Sequence, residues 1–473
     1  MRITNKTLSN NFLADMQRNL ENLSRVQQQV SSTKNFSKPS DDPINVERAM
    51  QLQSSVNYTT QYGSNIKTAN TWMETTDTTL GQIGTVLSNI RNNLEQAGGV
   101  YTQDEKDKIN DAVSQEVQQI ASLLNTNFQG EYIFGGTAGL SKPITTTTDA
   151  NGIVTLQYAD KDGNAVDNLS TVASQNFDIT HWGGKKVTFN LLKSDGTVSK
   201  TMSPDISSDA KSLDDVVENL NKEIQNNSDF RDKINVVKTN DGNVKFIAVN
   251  SSDNITISSD ISDLSSVSGK QLSNMAMENI GADKNIEISQ GVVLTYNATA
   301  SNIMQYGNDY NTTSGDSINA LMDRIQHHLA GQVMRYTDSN NNPITSSTPG
   351  AVLVTVKNDD GTTTSKYGVW TKDANSENDA KKELIGQDLT DIDAASKKVL
   401  QVRSEIGAKE KRMSDLSTQN AASITDLKEV LSKTEDIDVT QKTIEYYTSI
   451  TVYQACLQTG GKVIQPTLLD YIR

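Results

Sequence analysis

Between Ile66 and Ala97 the sequence places small or apolar side chains at alternating steps of three and four. They are Ile66, Ala69, Met73, Leu80, Ile83, Leu87, Ile90, Leu94 and Ala97, with Thr76 at the one polar place. A stripe of that period follows one side of an α-helix for about 45 Å, as the seam of a coiled coil or bundle does. Gly98-Gly99 then stops it. Some 300 residues later the pattern returns as Ile392, Ala395, Val399, Val402, Ile406, Met413, Leu416, Ile424, Leu427 and Leu431, and no proline lies between Pro349 and Pro466 to break it. Two long helices with matching stripes, one from each end of the chain, bury them most simply against each other. The chain must therefore double back.

Shorter helices flank these two. In the first arm Leu13, Met16, Leu20, Leu23 and Val30 keep the spacing, with polar Gln27 at the expected seam place. Thr102-Gln103-Asp104-Glu105 is a capping-box start for a helix that turns Ile109, Val113, Val117, Ile120 and Leu124 inward. A last helix runs from about Val439 through Ile444, Tyr447, Ile450 and Leu457 to a stop at Gly460-Gly461. The middle changes period. Residues near 144–158 alternate and meet a turn at Asp160-Lys161-Asp162-Gly163. Val187-Phe189 and Thr197-Val198 flank Ser194-Asp195-Gly196. Ile234-Val237 and Val244-Val249 flank Asn240-Asp241-Gly242-Asn243. The last two read as hairpins. Strand signal continues at Ile255-Ile257 and Ile286-Ile288, one short amphipathic helix spans 212–226, and a hairpin insert at 333–372 turns around Asp359-Asp360-Gly361.

The expected fold is α+β: an elongated rod of long antiparallel helices from both termini, a coiled-coil bundle, with a β-rich middle domain at its tip. Terminal helices occupy 1–45 and 433–473. The helical rod occupies 46–140 and 300–432. The β-rich domain, with its one short helix, occupies 141–299.

The 473 residues carry 43 Lys and Arg against 58 Asp and Glu, a net charge of −15. Nucleic acid and anionic membranes both attract clustered cations, so neither is an expected partner. With 35% apolar and 5% aromatic residues the chain is core-poor for its length, which favours an extended shape. One cysteine, Cys456, excludes an intrachain disulfide. With only His181, His327 and His328 beside it, the usual zinc ligand sets are absent. No apolar run reaches a bilayer's thickness, and the first twenty residues lack the apolar core of a cleaved signal peptide.

Catalytic constellations are equally missing: no G-x-S-x-G, H-E-x-x-H, P-loop or C-x-x-C occurs. Asp41-Asp42 lies between Pro39 and Pro43, where Asp serves turns and helix starts. Asp214-Asp215 has no partner base or nucleophile. His327-His328 reads as the polar face of a short helix holding Leu321, Ile325 and Leu329, and Cys456 as a small buried apolar residue. Catalytic, cofactor and metal residues are therefore expected to be none. The outermost segments, about 1–35 and 437–473, are polar with a narrow seam. A lone pair of such helices buries too little apolar surface to offset the entropy of ordering. These ends are expected to be disordered in the monomer and to fold on neighbouring subunits, through Leu13, Met16, Leu20 and Leu23 with Ile444, Tyr447, Ile450 and Leu457. That is the behaviour of an assembly protein. A coiled-coil surface adhesin would share the heptads, but not the paired termini. An enzyme displayed on the scaffold would need a constellation in 141–300 that is not there.

Several motifs resemble the bacterial flagellin family. They are residues 1–32 as an N-terminal helix, Lys38-Pro39-Ser40-Asp41-Asp42-Pro43 followed by Val46, Ala49, Met50 and Leu52, Asn125 through Thr137, and Ile286 through Gly291. The ending from Gln458 to Arg473, with Leu468-Leu469-Asp470-Tyr471-Ile472-Arg473, is most similar to the family's hook–filament junction branch, the third hook-associated protein. The 333–372 insert departs from the short junction pattern. The resemblance implies a structural, non-enzymatic role with no cofactor. It implies uncleaved export through the flagellar type III apparatus to an extracellular site, with a cytoplasmic chaperone on the C-terminal helix. The implied partners are the first hook-associated protein, flagellin and neighbouring junction subunits in a homo-oligomeric ring. Flagellin itself, the filament subunit, is the alternative within the family.

Overall fold

The structure is a computed structural model. It describes residues 5–99, 102–149, 151–166, 172–193, 197–239, 242–250, 253–265, 267–269, 271–307, 316–338, 341–345, 347–357, 363–373 and 375–463. The Ser194-Asp195-Gly196 and Asp359-Asp360-Gly361 turns, Asn240 and Asp241, and the last ten residues lie outside these.

The chain begins with α1 (Asn5–Ser32), α2 (Pro43–Ala97) and α3 (Gln103–Leu124). Strands follow: β1 (Asn127–Phe128), β2 (Glu131–Tyr132), β3 (Ile144–Thr148), β4 (Val154–Ala159), β5 (Ala165–Val166), β6 (Val172–Ala173), β7 (Val187–Leu192) and β8 (Val198–Met202). After α4 (Leu213–Asn226) come β9 (Ile234–Lys238), β10 (Val244–Ala248), β11 (Ile255–Ser259) and β12 (Ser273–Asn274). Next are α5 (Met275–Ile280), β13 (Asn285–Ser289), β14 (Val292–Thr295), α6 (Ala300–Met304) and α7 (Ile318–Leu329). The insert supplies β15 (Val333–Arg335), β16 (Val352–Lys357) and β17 (Thr363–Thr371). The chain then returns through α8 (Ser376–Glu383), a π-helical turn at Leu384–Asp388, α9 (Leu389–Glu435) and α10 (Val439–Val463). The architecture is α+β, long helices from both chain ends with a β-rich middle.

Two compact units divide the chain. The first comprises Met1–Lys67, Glu287–Val292 and Ser414–Arg473, the second Thr68–Ile286 and Val293–Met413. In the second, every stripe residue of α2 from Ala69 to Ala97 is fully buried, as are Ile392, Ala395 and Val399 of α9. Ion pairs lock the two helices at their margins, Arg91 Nε to Asp393 Oδ1 at 2.9 Å and Arg403 Nε to Asp77 Oδ1 at 2.8 Å. Helix α3 starts as its sequence dictates, with the Glu105 carboxylate accepting from the Thr102 N–H at 2.9 Å.

The sheet β3-β4-β5 lies against α3 and α7. There the buried Gln326 carboxamide treats β4 as a strand neighbour would: Val154 N–H donates to its Oε1, and its Nε2 donates to the Val154 carbonyl, both at 2.8 Å. A separate core gathers Trp182, Phe189, Leu220, Phe230, Phe246 and Ile257 beneath α4 and the hairpins β7-β8 and β9-β10. Between 141 and 299 the structure adds to α4 a second short helix, α5, which the sequence reading did not foresee. Its six residues are too few for periodicity to register. The insert carries the expected hairpin, β16-β17, extended to three strands by β15.

The reading of His327 and His328 as a polar helix face is corrected. His328 is buried with its Nδ1 2.6 Å from Asp388 Oδ2, and His327 stacks on Trp370 with ring centroids 4.2 Å apart. Arg324 Nε donates to the same Asp388 carboxylate at 2.8 Å, and its other arm reaches Asp391. The partners lie about sixty residues downstream, beyond the reach of local spacing. Gly460-Gly461 does not stop the last helix either, since α10 continues to Val463.

Candidate assembly surface

The first unit contains the terminal segments, and here α1 packs against α10. On α1 the residues turned away from solvent include Phe12, Met16, Asn19, Leu23 and Val26, again at three-four spacing, and Val30. On α10 they include Tyr446, Ile450, Tyr453, Cys456 and Gly460. Asn19 Nδ2 points at Cys456 Sγ at 3.7 Å, so this thiol sits half-buried within the pair. Gly460 lets the helices close: a Cβ there would stand 2.6 Å from the Phe12 ring.

The pair is tied at its base. Lys34 Nζ reaches Asp436 Oδ1 at 2.7 Å and Glu435 Oε1 at 3.1 Å. Backbone bonds run from Asn35 N–H to the Glu435 carbonyl at 2.7 Å and from Ile437 N–H to the Thr33 carbonyl at 3.1 Å. The hydrogen bond from Lys34 is the main cause holding the Asp436 carboxyl below its ordinary pKa.

Of the predicted seam, Met16, Leu23 and Ile450 are half-buried. Leu13, Leu20, Ile444, Tyr447 and Leu457 face solvent, with 44–65% of their surface exposed. Helix α1 carries two overlapping stripes that share Met16 and Leu23. The chain's own partner takes the one through Phe12, Asn19 and Val26, and leaves the one through Leu13 and Leu20 bare. On α10, Val439 and Val452 are exposed as well. Twelve of the seventeen large apolar side chains left exposed among the described residues fall in this unit, little more than a quarter of the chain.

The turn at Pro39, Ser40, Asp41, Asp42 and Pro43 is structural. The Asp41 carboxylate accepts from the N–H groups of Ser37 at 3.0 Å and Lys38 at 2.9 Å, and these bonds hold its pKa down. Asp42 accepts the Asn45 N–H at 3.1 Å, which lowers its pKa in turn, and Pro43 opens α2 where a missing N–H costs nothing. Asp215 has a similar capping role at α4, accepting from Ser212 N–H at 3.0 Å.

Beyond this turn lie two hollows of the first unit that the sequence reading did not single out. One, about 580 Å³ and shallow, is lined by Pro39, Pro43, Val46, Glu47 and Met50. The other, about 680 Å³, lies between α2 at Tyr58 and Tyr62, α9 at Leu416 and Asn420, and Ile288-Gln290. They share Ser54 and Ser55. The signal was present in Val46, three residues before the buried Ala49, and in Met50 and Tyr58, one and two residues past the buried Ala49 and Val56. Among the described residues no group of His, Cys, Asp and Glu is placed to hold a metal ion, and no helix is long and apolar enough to cross a membrane.

The paired terminal helices thus leave Leu13, Leu20, Ile444, Tyr447 and Leu457 bare. Residues 3–139 match the family model of the bacterial flagellin N-terminal helical region, so this part of the chain is flagellin-like. Among solved structures, similarity is found to one described as a flagellar hook-associated protein from Vibrio parahaemolyticus, at 12% identity and a TM-score of 0.41, covering 84% of this chain and 100% of that one. It extends to flagellar hook-associated protein-3 from Legionella pneumophila, at 13% identity and a TM-score of 0.35, covering 82% and 98%. A third is the FlgL protein of Xanthomonas campestris, at 12% identity and a TM-score of 0.33, covering 80% and 99%. A comparison with curated protein sequences finds no match.

Proposed function

We propose that this chain is a structural adapter joining the flagellar hook to the flagellin filament, assembled through its terminal helices. The observation that carries the reading is α10. It packs on α1, yet leaves Ile444, Tyr447 and Leu457 largely exposed, in a chain with a flagellin-type helical region at residues 3–139. Large apolar side chains left bare together mark a surface for other proteins, and the single chain does not cover these. Surfaces on different sides of a subunit that meet in a non-closing manner generate helical arrays.

The choice of junction over filament subunit rests on the ending from Gln458 to Arg473, which resembles the junction branch. On this reading the chain has no catalytic role. It leaves the cell through the flagellar export apparatus, with a chaperone covering α10 beforehand, and its ends order fully only among neighbours. Those neighbours are the first hook-associated protein, flagellin and further copies of the chain in a ring.

Deleting the gene tests this, with electron microscopy of the cell surface and a blot of the medium for flagellin. Hooks without filaments, with flagellin shed into the medium, are expected. Hooks without filaments and no shed flagellin would make this chain the filament subunit. Normal filaments would overturn both readings. Leu20→Asp should reproduce the deletion phenotype while the purified variant keeps its circular dichroism spectrum.

A further inference from the structure

We infer that the second unit binds a small neutral saccharide, in a cleft that β4, α5, α6 and α9 line together. The inference stands apart from the assembly reading. Every described residue lining the cleft belongs to the second unit, and none to α1 or α10.

The cleft measures about 740 Å³, within the range of about 300–1,000 Å³ that small-molecule sites occupy. Tyr158 of β4 lines it. This side chain is 1% exposed, yet its hydroxyl makes no hydrogen bond. A hydroxyl shut off from water without a partner works against the fold, and phenylalanine would fill the same place without that penalty. Burial pushes the phenol pKa up, so the group stays protonated, able both to donate and to accept. A second uncommitted group is Lys398 on α9, half-buried, with no ion pair or hydrogen bond among the described residues. Lysines in a chain with 58 acidic residues have ample partners. One left single beside a cleft is available to a ligand.

The remaining lining decides the ligand class. Glu278 of α5 is already neutralised, by Lys245 and by the Ser273 hydroxyl that donates to it at 3.0 Å. The hydroxyls of Thr299 and Ser301 lie 3.1 Å apart, and each keeps capacity for a further bond. Asp283, exposed, has no partner among the described residues. Two lysines and two acidic side chains are thus found among the described lining residues, with no net charge. An anion would satisfy Lys398 and not Asp283, and a cation the reverse. Sugar hydroxyls donate to carboxylates and accept from ammonium and phenol groups, so a neutral polyol satisfies both. Met277 and Tyr306 add apolar surface for the C–H face of a pyranose ring.

Isothermal titration calorimetry of the purified full chain with maltose, lactose and N,N′-diacetylchitobiose tests this, with glucuronate and alanine as anionic and zwitterionic comparisons. At least one of the neutral disaccharides should bind, and more tightly than either comparison. Tyr158→Phe and Lys398→Ala should each weaken that binding about fivefold or more, the loss of one hydrogen bond. Both variants should melt as the parent does, since neither removes a bond within the chain. Binding of none of the three sugars overturns the inference, as does a preference for glucuronate or alanine. So does undiminished binding in both variants. A lowered melting temperature in Tyr158→Phe would show that the hydroxyl serves the fold, and would remove the ground for a ligand there.

Discussion

Along the single helix α2, two stretches carry apolar residues at related spacing and meet different surroundings. From Ala69 to Ala97 the stripe is fully buried, because α9 and neighbouring elements of the second unit close over it. From Pro43 to Lys67 the line through Ala49, Val56 and Ile66 is buried, while Ile44, Met50 and Tyr58 are largely bare. The same contrast separates α9 before and after Met413: Ile392 through Met413 is sealed, and Leu416, Leu427 and Leu431 are only half covered. Periodicity therefore reports that a helix has an apolar side. How deeply that side is buried depends on how many other elements the chain brings to it, and the first unit brings few.

The contrast can be broken or sharpened by substitution. The largest effect is expected in the second unit at Asp388, where Asp388→Ala leaves the buried Arg324 guanidinium and His328 without their shared acceptor. Loss of a buried partner costs about 3–5 kcal/mol, measurable as a lowered midpoint in urea. Next comes Leu87→Ala in the sealed stripe, expected to cost about 2–5 kcal/mol. The matching truncation Leu20→Ala on the bare face of α1 should stay within about 0.5 kcal/mol. Equal losses at Leu87 and Leu20 would erase the distinction between the two units.

A smaller effect is expected at the α1–α10 contact. Gly460→Val should cost about 1–3 kcal/mol by overpacking against Phe12. Adding Phe12→Ala should recover part of that loss, and amide exchange in α1 reads both. The smallest is the basal tie. Asp436→Asn should cost about 0–1 kcal/mol, as exposed pairs do. The native carboxyl has its pKa lowered in the folded chain, so its contribution is fully present above about pH 4 and fades as pH falls through the depressed value. Amide exchange around Asn35 and Ile437 should speed up on acidification in the parent and be less pH-dependent in Asp436→Asn.

Much of the fold was legible because its signals are local. The Ile66–Ala97 stripe, the Thr102–Glu105 box, the hairpins and the 212–226 helix each declare themselves within a few residues. What escaped depends on distant partners. Spacing alone offered two stripes on α1 sharing Met16 and Leu23, and only the position of α10 selects between them. Gly460 has the composition of a stop, but it is a contact point set by Phe12 from the other end of the chain. His328 looked polar because its acceptor, Asp388, sits beyond an insert and a π-helical turn. At the candidate surface, the residues of the predicted seam were nameable, while the larger hollow was not. It is shaped jointly by α2, α9 and Ile288-Gln290, and no single segment contains it.

The tie between Lys34 and Asp436 spans 402 positions of sequence, and this sets an order of events during synthesis. Helix α1 leaves the ribosome long before its packing partner α10. Contacts within the second unit become available as translation proceeds, and domains form as their parts emerge. The N-terminal helix must wait, unpaired, for nearly the whole of translation before the first unit can close. For that interval α1 remains without the helix it packs on.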